Sequence, residues 1–145
     1  MTTPTFTMGP AILFCPADRP ERFAKAAERA DAVILDLEDA VAPDAKPAAR
    51  ENVRAADLDP ATAVVRVNDA ASEFFEADLT ALQGTPFTTV MLAKVESAEQ
   101  VRRVTDALPG VRVIALCETA AGIVAAPEIA AASGVVALMW GAEDL

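Results

Sequence analysis

Short apolar runs recur along this chain, separated by segments in which apolar residues return every third or fourth position. The runs read as buried strands and the segments between them as amphipathic helices. Ile12 to Cys15 predicts a first strand. Asp18 is placed to cap the next helix, with Pro20 in its first turn and Phe23, Ala26, Ala27 and Ala30 as its apolar stripe. Val33 to Leu37 predicts a second strand, and the span from Pro43 to Ala56 a helix whose early turn is marked by Lys46-Pro47. A third strand follows over Ala63 to Asn68, then a helix from Phe74 to Leu82 that Gly84 ends. Thr89 to Ala93 is the fourth strand, Ser97 the N-cap of a helix reaching Leu108, and Pro109-Gly110 a turn before the fifth strand, Val111 to Cys117. Thr119 to Ala132 predicts one more helix, broken off by Gly134, and Val135 to Trp140 a sixth strand.

An unbroken strand–helix alternation implies a parallel sheet, either open and doubly wound or closed as a barrel. No linker, low-complexity stretch or sequence repeat divides the chain, so residues 1–145 read as one domain. Six units are more than many small open folds use. They fall short of the eight in a (β/α)8 TIM barrel, which takes about 250 residues. The expectation is therefore an α/β chain holding the first six βα units of a TIM barrel, its last strands absent.

In parallel folds the C-terminal ends of the strands gather on one side, where ligands bind. Here every strand after the first runs into ionisable or amide side chains. Asp36, Glu38 and Asp39 follow the second, Arg66 and Asn68 the third, Lys94 and Glu96 the fourth, Glu118 the fifth, and Glu143-Asp144 the sixth. Glu118 and Asp144 are the candidate metal pair, because hard carboxylate oxygens suit Mg²⁺ or Mn²⁺ with water and substrate in the remaining positions. Acids capping the following helices would give the same spacing. Arg66 on a buried strand must meet a carboxylate of the protein or of a substrate, and Asn68 two residues on should share its face. Asp36, Glu38 and Asp39 repel one another unless a cation sits among them. Asp36 reads as structural, and Lys94 could pair with these acids or orient a carboxylate. Arg22, Lys25 and Arg29 share one face of the first helix, with Arg19 just before it. This basic cluster suits the phosphates of a nucleotide-like cofactor or a solvated helix face equally.

Composition narrows the classes. A formal charge of −10 argues against a general nucleic-acid binder. The chain has no histidine, which removes Ser-His-Asp chemistry and histidine metal sites together. No apolar run is long enough for a membrane span, and Met1 to Pro10 lacks the basic start of a secretory signal. Cys15 and Cys117 both lie in apolar runs and read as buried thiols of a cytoplasmic protein rather than a disulfide.

Six blocks, in order, resemble one family. Phe14-Cys15-Pro16-Ala17-Asp18-Arg19-Pro20-Glu21-Arg22-Phe23-Ala24-Lys25-Ala26 and Leu35-Asp36-Leu37-Glu38-Asp39-Ala40-Val41 resemble the opening of citrate lyase β-subunit-like proteins, members of the HpcH/HpaI aldolase group. Val65-Arg66-Val67-Asn68, Leu92-Ala93-Lys94-Val95-Glu96-Ser97, Cys117-Glu118-Thr119-Ala120-Ala121-Gly122 and Trp140-Gly141-Ala142-Glu143-Asp144-Leu145 continue the resemblance. It implies a barrel with Mg²⁺ on Glu118 and Asp144, Arg66 on substrate oxygens, Glu38 and Asp39 supporting the metal waters, and Arg19 and Lys25 near coenzyme A phosphates. It also implies a homo-oligomer, a trimer or hexamer, in which a C-terminal lid segment absent here covers a neighbour's pocket.

The function so implied is a Mg²⁺-dependent carbon–carbon lyase acting on a 3-hydroxy dicarboxylic acyl-CoA such as malyl-CoA or citramalyl-CoA. Thioester hydrolysis or condensation at the same site stays open beside it. A Mg²⁺-binding phospho-receiver-like signalling module is the alternative from another class. Such a module should carry acids after its first strand and an aspartate after its third, where this chain has Cys15-Pro16 and Asn68.

Overall fold

A computed structural model describes residues 6–144. The first half of the Met1–Pro10 segment read for a signal, and Leu145 of the last block, lie outside the described residues. Six strands form one parallel sheet in sequential order: β1 (Ile12–Pro16), β2 (Ala32–Asp36), β3 (Ala63–Val67), β4 (Thr89–Leu92), β5 (Arg112–Cys117) and β6 (Val135–Trp140). The crossovers carry α1 (Phe23–Arg29), α2 (Lys46–Ala55), α3 (Phe75–Leu82), α4 (Ala98–Ala107), and the pair α5 (Ala120–Val124) and α6 (Ala126–Ala131). Doubly wound sheets reverse strand order at a switch point. Strict sequential order is instead TIM-barrel-like.

Side-chain alternation sorts the strand residues into two layers. Val33 and Leu35, Val65 and Val67, Val90 and Leu92, and Val113 and Ala115 pack against the helices in the larger core. Ile34, Val64, Met91, Ile114 and Leu116 form a smaller cluster on the opposite face, with Met8 closing its lower end. That second face also carries Asp36 and Arg66, so the functional groups stand at the top of an apolar layer. Exposed large apolar side chains stand on the two outer strands, Leu13 and Phe14 on β1 and Leu138 and Trp140 on β6, and on α5, Ile123 and Val124.

Three local expectations need correction. Asp18 caps nothing: the turn opens as a 3₁₀ segment, Pro20–Arg22, with no side-chain cap, and the amide of Arg19 instead donates to Pro16 O at 3.0 Å. Of the expected stripe on α1 only Phe23 and Ala26 are buried: Ala27 is exposed on the helix, and Ala30 lies half-buried beyond its end at Arg29. The predicted Thr119–Ala132 helix is two helices broken at Ala125, since Pro127 lacks the N–H that would continue the first and fits the opening turn of the second. Ser97 does cap α4, accepting from the Gln100 amide. Both cysteines are buried free thiols.

Candidate active site

The β2 end supplies three acids within four residues, and two cations hold them together. Asp36 is buried and accepts from the Glu38 amide at 2.9 Å and the Ala40 amide at 3.2 Å, which folds the turn after β2. Its two oxygens also receive Nε and Nη2 of Arg66 at 2.7 and 2.6 Å, a bidentate pair. Asp36 is thereby committed to structure. Glu38 is buried as well: Oε2 takes the Asp39 amide at 2.9 Å and Arg66 Nη1 at 3.1 Å, and Oε1 takes Lys94 Nζ at 2.5 Å. Asp39 is exposed, 3.6 Å from Lys94 Nζ.

Arg66 thus donates two of the five N–H bonds of its guanidinium to Asp36 and brings Nη1 into ion-pair contact with Glu38, leaving N–H bonds that Asp36 does not take. Its plane lies over the Phe14 ring, 4.8 Å from the centroid. Burial works against its charge, but the Asp36 hydrogen bonds and the neighbouring acids outweigh burial and hold its pKa above the ordinary value.

The opposite wall comes from β5 and β6. Glu118, 3% exposed, directly follows β5 and accepts the backbone N–H of Lys94 on Oε1 at 2.9 Å. Asp144 lines the same cleft. Burial, with help from Asp144, pushes the Glu118 pKa up even though the Lys94 amide pulls it down. Gly141, just past β6, makes the approach possible: a Cβ there would lie 2.7 Å from Glu118 Oε2 and 2.8 Å from Glu118 Cβ. Thr119 caps α5 by accepting the Gly122 amide at 3.0 Å, and a Cβ at Gly122 would strike Val95 O. The helix therefore seats against the β4 turn and fixes the base of Glu118.

Among the described residues no three or more acids, cysteines or histidines cluster as a full metal cage. Two apposed carboxyls, one buried and short of a cation, are nonetheless the donor set of an ion that keeps most of its waters, as Mg²⁺ does. The residues present fit that group.

These pieces line a cleft of about 490 Å³ whose walls include Phe14, Asp39, Arg66, Glu118, Trp140 and Asp144. Glu38 lies behind this lining rather than in it. Asn68 does not share the Arg66 face: β3 ends at Val67, and Asn68 turns to donate to Leu37 O at 3.0 Å and Asp78 Oδ2 at 2.6 Å. Glu96 is exposed and turned to the hydroxyl of Thr119 at 2.9 Å, and Cys117 packs into the helix-side core. Arg19 is solvent-exposed with Glu21 as a distant partner at 4.0 Å. Lys25 lines a shallow groove beside β1 with Arg22 and Arg29, and Phe14 is the wall between that groove and the cleft.

Under the β2 turn lies a buried network not anticipated above. Lys46 Nζ donates to Leu37 O at 2.6 Å, Glu38 O at 2.8 Å and Asn68 Oδ1 at 3.0 Å. Asp78, fully buried, accepts from the Asn68 amide at 2.9 Å and from Arg50 Nε at 2.8 Å. Burial lowers the Lys46 pKa against the pull of Asp78, Glu38 and Asp36. The signal was in the helical period. Lys46 shares a stripe with Ala49 and Val53, and Asp78 with Phe75, Leu79 and Leu82. A charge on an apolar stripe is a buried charge with a partner.

Acids and an arginine gathered at the C-terminal ends of sequentially ordered parallel strands make a TIM-barrel-like α/β arrangement, with its charged groups on the side where such folds bind ligands. Residues 11–145 match the family model HpcH/HpaI aldolase/citrate lyase, and the chain belongs to that family. It is 59% identical over 137 residues to the citrate lyase subunit beta-like protein of Mycobacterium tuberculosis, covering 94% of this chain and 49% of that protein. It is 37% identical to the (3S)-malyl-CoA thioesterase of Cereibacter sphaeroides, covering 93% and 49%. The crystal structure of the protein CitE from Mycobacterium tuberculosis in complex with magnesium, acetoacetate and coenzyme A superposes with a TM-score of 0.88 at 59% identity, covering 95% of this chain and 50% of that one. The chain spans about half the length of the curated relatives it matches. Among the described residues no helix is long and apolar enough to cross a membrane.

Proposed function

We propose that the protein is a Mg²⁺-dependent carbon–carbon lyase that cleaves, or in reverse condenses, a 3-hydroxy dicarboxylic acyl-CoA such as malyl-CoA or citramalyl-CoA. One observation carries the reading: two carboxyls, Glu118 and Asp144, and a guanidinium with N–H bonds that Asp36 does not take, Arg66, border the same cleft. Glu118 and Asp144 would hold the ion, which when bound polarises the carbonyl of the oxo-acid half. Arg66 would take the negative charge that develops on the thioester enolate or on a carboxylate oxygen as the bond breaks. Its charge is secured by Asp36, so it stays a donor throughout. Asp39, at the cleft wall, would orient metal-bound water, and Glu38 behind it would fix the angle of Arg66. Lys25, with Arg22 and Arg29 across Phe14 from the cleft, would meet coenzyme A phosphates. Arg19 would join them by turning from its exposed Glu21 contact.

The barrel would close with the remaining two βα units of the whole protein, which would act in the cytoplasm as a homo-oligomer, trimer or hexamer. A second reading has the same cleft hydrolyse the thioester, favoured by the likeness to the malyl-CoA thioesterase. Products separate the two. Cleavage of malyl-CoA releases glyoxylate and acetyl-CoA, whereas hydrolysis releases malate and free coenzyme A. The test is mass spectrometry of the full-length protein with malyl-CoA and citramalyl-CoA, with and without Mg²⁺. Glu118→Gln and Asp144→Asn should each weaken calorimetric Mg²⁺ binding at least about tenfold, or ~1.4 kcal/mol. Unchanged binding in both, or no turnover of either ester, refutes the reading.

A further inference from the structure

Lys94 enters the site twice, once through its backbone and once through its side chain. It is the one non-glycine residue with positive φ, +50°, among the described residues. That region is disfavoured for a residue with a Cβ and persists where surrounding contacts enforce it. Here the contacts lie on both sides. The Lys94 amide donates to Glu118 Oε1 at 2.9 Å, and the next amide, of Val95, donates to Leu116 O at 3.1 Å, tying the β4 turn to β5. The ammonium meanwhile reaches Glu38 Oε1 and stands 3.6 Å from Asp39.

The charge balance shows what this arrangement is for. Asp36, Glu38, Asp39, Glu118, Glu143 and Asp144 crowd the cleft and its floor; among the described residues Arg66 and Lys94 pair with their carboxylates, and Lys46 lies beneath on the backbone of the β2 turn. Left alone, so acidic a cleft attracts a cation and repels a carboxylate substrate. Lys94 sits behind the lining, so its charge acts through the acids it touches.

We propose that Lys94 is a positioning residue that divides these acids by task. Its amide holds Glu118 by one oxygen, leaving the other for the metal, while its ammonium offsets the Glu38–Asp39 pair so that the cleft admits an oxo-acid anion beside the cation. The proposal rests on the lyase reading for the identity of the two ligands.

Opposite responses of cation and anion test it. Calorimetry on the full-length protein titrates Mg²⁺ first, then glyoxylate at saturating Mg²⁺. Lys94→Met and Lys94→Gly, which lose the charge and keep the amide, should bind Mg²⁺ as tightly as wild type or more so. Both should bind glyoxylate at least about tenfold more weakly. Lys94→Arg restores glyoxylate binding to within about threefold. Lys94→Val lacks the charge like Lys94→Gly, but its branched side chain resists the left-handed backbone. It should lose Mg²⁺ affinity at least about tenfold relative to Lys94→Gly. A residue that merely supported the fold would weaken both ligands together, in step with melting temperature, and that result overturns the proposal. So does unaltered glyoxylate binding in Lys94→Met. A wild-type protein that binds neither ligand overturns the lyase reading itself, and this proposal with it.

Discussion

Replacing Arg66 by lysine separates its two duties. The substitution keeps a positive charge but loses the planar fork. A lysine ammonium at this depth can reach one oxygen of Asp36, so one of two bonds, at 2.7 and 2.6 Å, is lost. The ion-pair contact with Glu38 at 3.1 Å and the cation–π contact with Phe14 at 4.8 Å are lost as well. Hydrogen bonds to charged groups contribute roughly 1.5–3 kcal/mol each, and residual water contacts recover part, so a net loss of about 2 kcal/mol is expected. In a domain of this size that lowers the melting temperature by about 4–8 °C. Turnover should fall much further, at least about a hundredfold or ~2.7 kcal/mol of barrier, because the N–H bonds left for substrate vanish with the fork. Thermal melts and steady-state kinetics on the full-length protein, with Asp36→Asn as the comparison, decide the matter. If Arg66→Lys melts several degrees lower yet turns over within about threefold of wild type, the guanidinium is a structural tie and the substrate role is wrong.

Other consequences follow from the same geometry. Lys46→Met should remove three charged hydrogen bonds and strand Asn68 Oδ1, while Leu37 O and Glu38 O keep the Asn68 amide group and the Val41 N–H. A loss of about 3 kcal/mol in urea unfolding is expected, and a change under about 0.5 kcal/mol would contradict the network. Gly141→Ala should force Glu118 off the Lys94 amide, weakening Mg²⁺ binding about tenfold in calorimetry while the melting temperature changes little. Burial pushes the thiols of Cys15 and Cys117 up, so at about pH 8 neither should react with iodoacetamide until urea unfolds the chain.

Periodicity made the strands legible because each is an apolar run whose alternation matches a two-layer environment. Boundaries slipped where a polar residue could end either element. Asn68 looked like the last residue of β3, yet its amide goes to Asp78 rather than to a neighbouring strand. The convergence of Asp36, Glu38, Arg66, Lys94 and Glu118 followed from parallel topology, which puts every strand's C-terminal end on one side. Which of them would face the cleft did not follow. Burial of Glu38 depends on Arg66 and Lys94 reaching it from two other strands, a long-range arrangement that local spacing does not encode. The turn of Lys94 into left-handed backbone was equally hidden, since nothing in Ala93-Lys94-Val95 carries the usual glycine signal.

A sheet in sequential order joins each strand only to its neighbours in the chain, so its ladder could open one strand at a time, as a linear array of repeats does. The chain of contacts from Asp36 through Arg66, Glu38 and Lys94, whose backbone amide makes the last link to Glu118, runs across the tops of β2, β3, β4 and β5 and ties β2 directly to the turn after β4. Separating any one of these strands breaks contacts anchored on the others. The charged cluster therefore acts as a cooperativity device, making four strands open together or not at all, and amide exchange across them should report one shared opening free energy in place of a gradient.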